Sequence, residues 1–264
     1  MNRIEERFQR LRQEGQKGFV VYIGAGDPDL DATYNLALAF DEIGVDVLEL
    51  GVPFSDPLAD GLVNQLAAQR GLDSGTTPGK LLETVKRIRE SSGIPIVLYV
   101  YFNLLHKRGL AEFVSAASDA GVDGLLVLDL PPEESEDYES LMDAANLCPI
   151  YLVAPTTPVD RVALIVKRGK GFVYYVSREG VTGMQQTVSD TIEPMTQIIR
   201  ENTDIPIAVG FGISNPEQAA AVAKNAEAVV VGSAIVNQIA ENCSTADLVP
   251  SVKAFTANLI SGIR

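Results

Sequence analysis

A single-domain α/β fold, a closed (β/α)8 TIM barrel with an extra N-terminal helix, is the architecture predicted by this 264-residue sequence. Three observations carry that expectation. Eight short apolar runs, at 19–23, 47–50, 96–101, 124–130, 150–153, 172–176, 206–209 and 228–231, alternate with stretches of helical spacing. Such alternation implies right-handed crossovers and a parallel sheet covered on both faces. No GxGxxG follows the first run, and no Pro-rich, Ser/Gly-rich or low-complexity linker divides residues 1–264, which favours one closed barrel over an open sheet or two domains.

Residues 2–14 set Ile4, Phe8 and Leu11 at helical spacing between charges, an amphipathic helix that precedes the first strand and closes one end. The run from Phe19 to Ile23 is β-branched and aromatic and ends in the turn GAGDPD at 24–29. A helix from Leu30 to Ile43 stops at Gly44. Further helices are expected at 78–92, 109–120, 132–146, 158–168, 189–202, 216–223 and 234–240, and a last one at 246–262 packs outside.

The net charge of −14, from 35 acidic and 21 basic residues, argues against broad contact with nucleic acid or an anionic membrane. A phosphorylated small molecule is compatible with it, because backbone N–H groups at helix starts bind phosphate without basic residues. Cys148 and Cys243 stand apart with no CxxC pair, and the single histidine, His106, has no second ligand near it and reads as a surface residue, so neither a disulfide nor a metal site is expected. The charged start has no apolar core of signal-peptide length, and ~18 uninterrupted apolar residues occur nowhere, which predicts a soluble, cytoplasmic protein.

The chemistry centres on VLELGVPFSDPLADG, residues 47–61. In a buried strand Glu49 faces the same side as Val47 and the opposite side to Leu48 and Leu50. Among apolar neighbours its ionised form is disfavoured and its pKa rises, which suits a group that both gives and takes a proton; a strand-end Glu paired with Lys or Arg is the competing reading. Asp56 and Asp60 follow in the loop. An internal echo, IGVDVLEL at 43–50 and AGVDGLLVLDL at 120–130, sets Glu49 and Asp129 where a strand gives way to a loop, the end at which barrel enzymes build their sites. Asp129 also fits a turn-ordering role. Tyr22, Tyr101 and Tyr174 lie at strand ends, as pocket lining or as core.

Gly-bearing loops follow the last three strands, at 177–184, 210–214 and 232–236. Loops after strands seven and eight of a barrel commonly hold phosphate, since glycine lets the backbone approach the oxygens, and Ser233 adds a hydroxyl at a helix start. The loop 177–187 has the length of a lid.

GDPD (26–29), ELGVPFSDPLADG (49–61), SREGVTG (177–183), GFGIS (210–214) and GSAIV (232–236) resemble, in this order, the motifs of the tryptophan synthase α subunit family, and the resemblance runs from about residue 3 to the C-terminus. It implies a lyase of tryptophan biosynthesis that cleaves indole-3-glycerol phosphate by a retro-aldol reaction to indole and glyceraldehyde 3-phosphate, with no cofactor in this chain. By resemblance Glu49 is the general acid/base and Asp60 accepts the indole N–H. Gly183, Gly210, Phe211, Gly212, Gly232 and Ser233 fall on the family's phosphate loops, and Tyr22, Tyr101, Asp129, Tyr174 and Thr182 around the substrate or lid. Asp56, Pro57 and Asn103 fall on the face toward a β subunit that carries pyridoxal phosphate and receives indole through a tunnel, which implies an α2β2 assembly. Leu62, Val63, Asn64 and Gln65 replace the family's usual PTIQ, Tyr22 a usual Phe, and Gly24 a usual Thr, with loss of a hydroxyl and added backbone freedom. A free-standing lyase, and a weakly catalytic subunit that mainly activates the β subunit, remain open alternatives. Two acids with distinct roles predict a bell-shaped pH dependence.

Overall fold

The computed structural model describes residues 1–177 and 188–264. Its strands are β1 (Gly18–Gly24), β2 (Val47–Gly51), β3 (Ile96–Val100), β4 (Gly124–Val127), β5 (Cys148–Val153), β6 (Val173–Val176), β7 (Ile207–Gly210) and β8 (Ala228–Val231). They pair in chain order, all parallel, and β8 returns to β1 to close the barrel. Around them lie α1 (Arg3–Glu14), α2 (Leu30–Glu42), α3 (Leu62–Asp73), α4 (Pro78–Arg89), α5 (Phe102–Arg108), α6 (Leu110–Ala120), α7 (Glu136–Ala144), α8 (Val159–Arg168), α9 (Val188–Asn202), α10 (Pro216–Ala223), α11 (Ser233–Asn242) and α12 (Leu248–Ile260).

Three departures from the sequence-based expectation have local causes. The helix expected at 132–146 is a 3-10 turn, Pro132–Glu134, followed by α7, with Ser135 between them. The helices α3 and α5 lack a periodic apolar stripe: α3 buries only Ala67 and Gly71, and α5 only Leu105. Periodicity has nothing to register in either.

Alternation along the strands divides the apolar residues into two cores. Val20, Val47, Val97, Leu126, Ile150 and Val230 fill the barrel, and Leu48, Leu50, Ile96 and Leu98 face the helices. The helix α1 plugs the barrel's N-terminal end with Ile4, Phe8 and Leu11. Each of these buried side chains contributes roughly 1.5–3 kcal/mol. A capping box fixes its start, with Asn2 accepting from the Ile4 N–H at 2.9 Å and Glu5 from the Asn2 N–H at 3.2 Å, and Gly15 ends it at φ +65°.

Carboxylates at the same end tie the strands together. Asp46 accepts from the Phe19 N–H at 2.8 Å, Asp123 from the Ile96 N–H at 2.8 Å, and Glu227 from the Ile207 N–H at 3.0 Å. Arg7 and Arg264 meet Asp46, and Arg3 and Arg89 meet Asp123. The echoed GVD of residues 44–46 and 121–123 therefore serves this structural end of the barrel. In that alignment the counterpart of Glu49 is Leu126, an inward-facing core residue, and not Asp129.

Candidate active site

Glu49 is the middle residue of β2, side by side with Tyr22 of β1 and Val97 of β3 in the parallel register. It is fully buried inside the barrel, and neither carboxylate oxygen has a hydrogen-bond partner among the described residues. Burial alone pushes its pKa from 4.5 up to about 8. Among the described residues no Lys or Arg pairs with it.

Asp60 reaches the same mouth from the loop after β2. Its Oδ1 accepts from the Tyr99 hydroxyl at 2.9 Å and its Oδ2 from the Tyr101 hydroxyl at 2.8 Å. Tyr101 also accepts from the Ala59 N–H at 3.0 Å, and its ring lies 5.1 Å from that of Phe54. Asn64 and Gln65 of the divergent segment serve the same acid, through a long 3.5 Å contact to Oδ1 and a 2.8 Å bond to the Asp60 carbonyl. Burial first, and then the Glu49 and Asp60 carboxylates, hold the Tyr22 and Tyr174 phenols well above their ordinary pKa, so both remain neutral beside the acids.

The helix α3 is docked against this site by close contacts. Arg70 donates two hydrogen bonds, at 2.6 and 2.7 Å, to the fully buried Asp27 of the GDPD turn, and the Ser74 hydroxyl donates to the Gly26 carbonyl at 3.0 Å. A Cβ on Gly71 would stand 2.6 Å from the Ala25 carbonyl oxygen, and one on Gly24 would stand 3.1 Å from the Ala67 Cβ. The expected backbone freedom at Gly24 is a misreading: its φ is not positive, and its use is to let α3 approach β1. Ala67 and Val63 then pack on Tyr22, whose ring meets Tyr99 edge-on at 5.0 Å.

Asp129 also differs from expectation. It lies two residues beyond β4, exposed, and accepts from the Phe102 N–H at 2.6 Å, which orders the start of α5; it does not share the position of Glu49. Tyr174 points into the barrel, with its hydroxyl 2.9 Å from where a Cβ on Gly210 would be. Gly212 has φ +65° just after β7, and Gly232 is the N-cap of α11, which opens on the exposed Ser233. Phe211 is buried between these glycines. Asp56 and Asn103 are exposed and Pro57 half-buried, on segments joined through the Asp60–Tyr101 bond. Thr182 and Gly183 lie outside the described residues. Sequence reading missed Tyr99, although the alternation in IVLYVY already puts Val97, Tyr99 and Tyr101 on one face.

A family model described as tryptophan synthase alpha chain matches residues 8–260. The tryptophan synthase alpha chain of Opitutus terrae is 49% identical over 265 residues, covering 100% of both chains, and that of a Geobacter species is 45% identical over 263 residues, covering 100% of this chain and 98% of the relative. Among solved structures, tryptophan synthase subunit alpha from Legionella pneumophila superposes with a TM-score of 0.91 at 34% identity, over 100% of this chain and 98% of that one. A tryptophan synthase structure from M. tuberculosis, an open form with BRD0059 bound, gives 0.89 at 30% identity, over 100% and 99% of the two chains. With relatives this similar from end to end, and a family model spanning all but its extremities, this chain belongs to the tryptophan synthase alpha chain family.

Proposed function

We propose that this chain cleaves indole-3-glycerol phosphate to indole and glyceraldehyde 3-phosphate, with Glu49 as the acid/base and Asp60 as the group that stabilises the ring cation. One observation carries the reading: a buried carboxyl without partners among the described residues, held neutral at neutral pH, shares the barrel mouth with a carboxylate gripped by two phenols. The bond to be broken joins indole C3 to the first glycerol carbon. Its electrons can return to the ring only if C3 first takes a proton, and that step leaves positive charge on the ring nitrogen.

Glu49 supplies the proton. The carboxylate it becomes is a strong base because it is desolvated, and it removes the proton of the adjacent glycerol hydroxyl as the C–C bond opens and the aldehyde forms. One proton is given and one taken, so Glu49 ends as it began. Asp60, facing the N–H, stabilises the cation, as a preorganised group aimed at developing charge does.

The glycines at 210, 212 and 232 and the start of α11 suit the substrate phosphate, bound by backbone N–H groups and the Ser233 hydroxyl. Phe211 and Gly183 belong to the same reading, and Tyr22, Tyr101, Asp129, Tyr174 and Thr182 to the surround of the indole and lid. No cofactor takes part in this half-reaction; pyridoxal phosphate belongs to the β subunit. Asp56, Pro57 and Asn103 would meet that subunit in an α2β2 assembly, and the 93% exposed Leu58 beside them offers an apolar contact. Cytoplasmic location fits a biosynthetic enzyme of this kind, and no helix among the described residues is long and apolar enough to cross a membrane.

The test is indole release from indole-3-glycerol phosphate by the purified chain, with and without a β subunit, with Glu49→Gln as control. A rate that rises with the partner and vanishes in the variant supports the proposal. No release in any mixture, with faster β turnover, would leave an activating subunit instead.

A further inference from the structure

We infer that Tyr99 is a positioning residue for this reaction: its hydroxyl fixes the rotation of the Asp60 carboxylate so that a free lone pair faces the N–H of the bound indole. The inference rests on the proposed role of Asp60 and extends it to a residue outside the motifs that carry the family resemblance.

A carboxylate on a loop turns freely about its terminal bond unless both oxygens are held. Here Tyr101 holds Oδ2 at 2.8 Å and Tyr99 holds Oδ1 at 2.9 Å, so the plane of the group is set from strand β3 and its end. An ionised carboxylate offers about four acceptor sites, and two phenols leave about two for a ligand. The long 3.5 Å contact from Asn64 is too weak to replace either phenol.

The two phenols are not equivalent. Tyr101 sits just beyond β3 and shares its hydroxyl with the Ala59 N–H, so it also shapes the loop. Tyr99 belongs to the barrel wall. It pairs with Gly51 in the β2–β3 register, its carbonyl accepts from the Val52 N–H at 2.9 Å, and its ring is braced by Tyr22 at 5.0 Å. Burial and the adjacent Asp60 charge drive its pKa far above the ordinary phenol value, so it donates at every pH at which the protein works. A rigid donor on a strand can preset a group carried by a loop, and such preorganisation is what charge stabilisation in a transition state requires.

Two substrate analogues separate this role from packing: 3-(indol-3-yl)propyl phosphate, which keeps the N–H, and its benzofuran counterpart, which has oxygen there. The parent chain is expected to prefer the indole compound by about tenfold to hundredfold in Kd, as one hydrogen bond to a charged acceptor gives. In Tyr99→Phe, which keeps the ring, that preference should shrink to about threefold or less while benzofuran binding holds, and kcat/KM for indole release should fall about tenfold, with KM rising in step with the weaker binding of the indole analogue. A variant that retains the parent's preference, or that weakens both analogues equally, overturns the role of Tyr99 and leaves Asp60 as the N–H acceptor. A parent without any preference would overturn both.

Discussion

Tyr22 and Glu49 stand side by side across β1 and β2, both directed into the barrel, yet no donor among the described residues reaches either oxygen of the Glu49 carboxyl. Burial keeps the Tyr22 phenol neutral and raises the pKa of the Glu49 carboxyl to about 8, so the two groups stand together uncharged at neutral pH. Folding alone would discard such a group, because ionising a fully buried carboxyl is costly unless a counter-charge is beside it, and none of the described residues supplies one.

Glu49→Gln is therefore expected to abolish indole release and to stabilise the fold at high pH. Between pH 4.5 and about 8 the folded chain keeps a proton that the unfolded chain has released, so this residue's contribution falls as pH rises and is fully lost above about 8. Urea denaturation at pH 5 and pH 9 should show the variant and parent nearly equal at the lower pH, and the variant more stable by a few kcal/mol (~1.4 kcal/mol per pKa unit) at the higher. Equal stability of the two proteins at pH 9 would contradict the buried-acid reading.

The same group sets the alkaline side of the rate profile. With Glu49 required in its protonated form, kcat/KM for indole release should fall about tenfold per pH unit above about 8. A profile level to pH 10, measured where the fold is intact, would assign the proton to another residue.

Arg70→Leu should be among the most damaging changes outside the site. It leaves Asp27 fully buried without its bidentate partner, at a cost of ~3–5 kcal/mol, and frees α3 from β1. Denaturation midpoints measure the first effect. Looser packing of Val63 and Ala67 on Tyr22 should also raise KM in the fraction that remains folded.

Gly51→Ala places a methyl against the Tyr22 phenol, with Tyr22 Cζ only 2.8 Å from the new Cβ. Overpacking of this kind costs ~1–3 kcal/mol. Because Tyr22 is wedged between Gly51 and Tyr99, the displacement should weaken binding of the indole analogue by calorimetry more than Gly61→Ala does, where a Cβ meets nothing within 4 Å.

Docking of a β subunit can be probed at Leu58, which is 93% exposed. Leu58→Asp should reduce the partner's activation of indole release and leave the rate of the isolated chain within about twofold, since the side chain touches neither acid. A fall in the isolated rate would place Leu58 in the site itself.

The eight-strand barrel, the plugging helix α1 and the inward direction of Glu49 were legible in the sequence, because period-2 and period-3.6 patterns are local consequences of backbone geometry. So was the placing of the glycines after β7 and β8 at one end, which follows from strand order. The sequence by itself did not determine which of the strand-end acids are held by backbone donors. Asp46, Asp123 and Glu227 cap neighbouring strands at one end of the barrel while Glu49 waits at the other, and the difference is which donors a closed sheet brings within hydrogen-bond distance. Tertiary structure likewise decided that Asp129 orders α5, that Arg70 holds Asp27, and that Tyr99 grips Asp60 from 39 residues away. Those pairings join side chains distant in sequence, and no local pattern encodes them until the barrel closes.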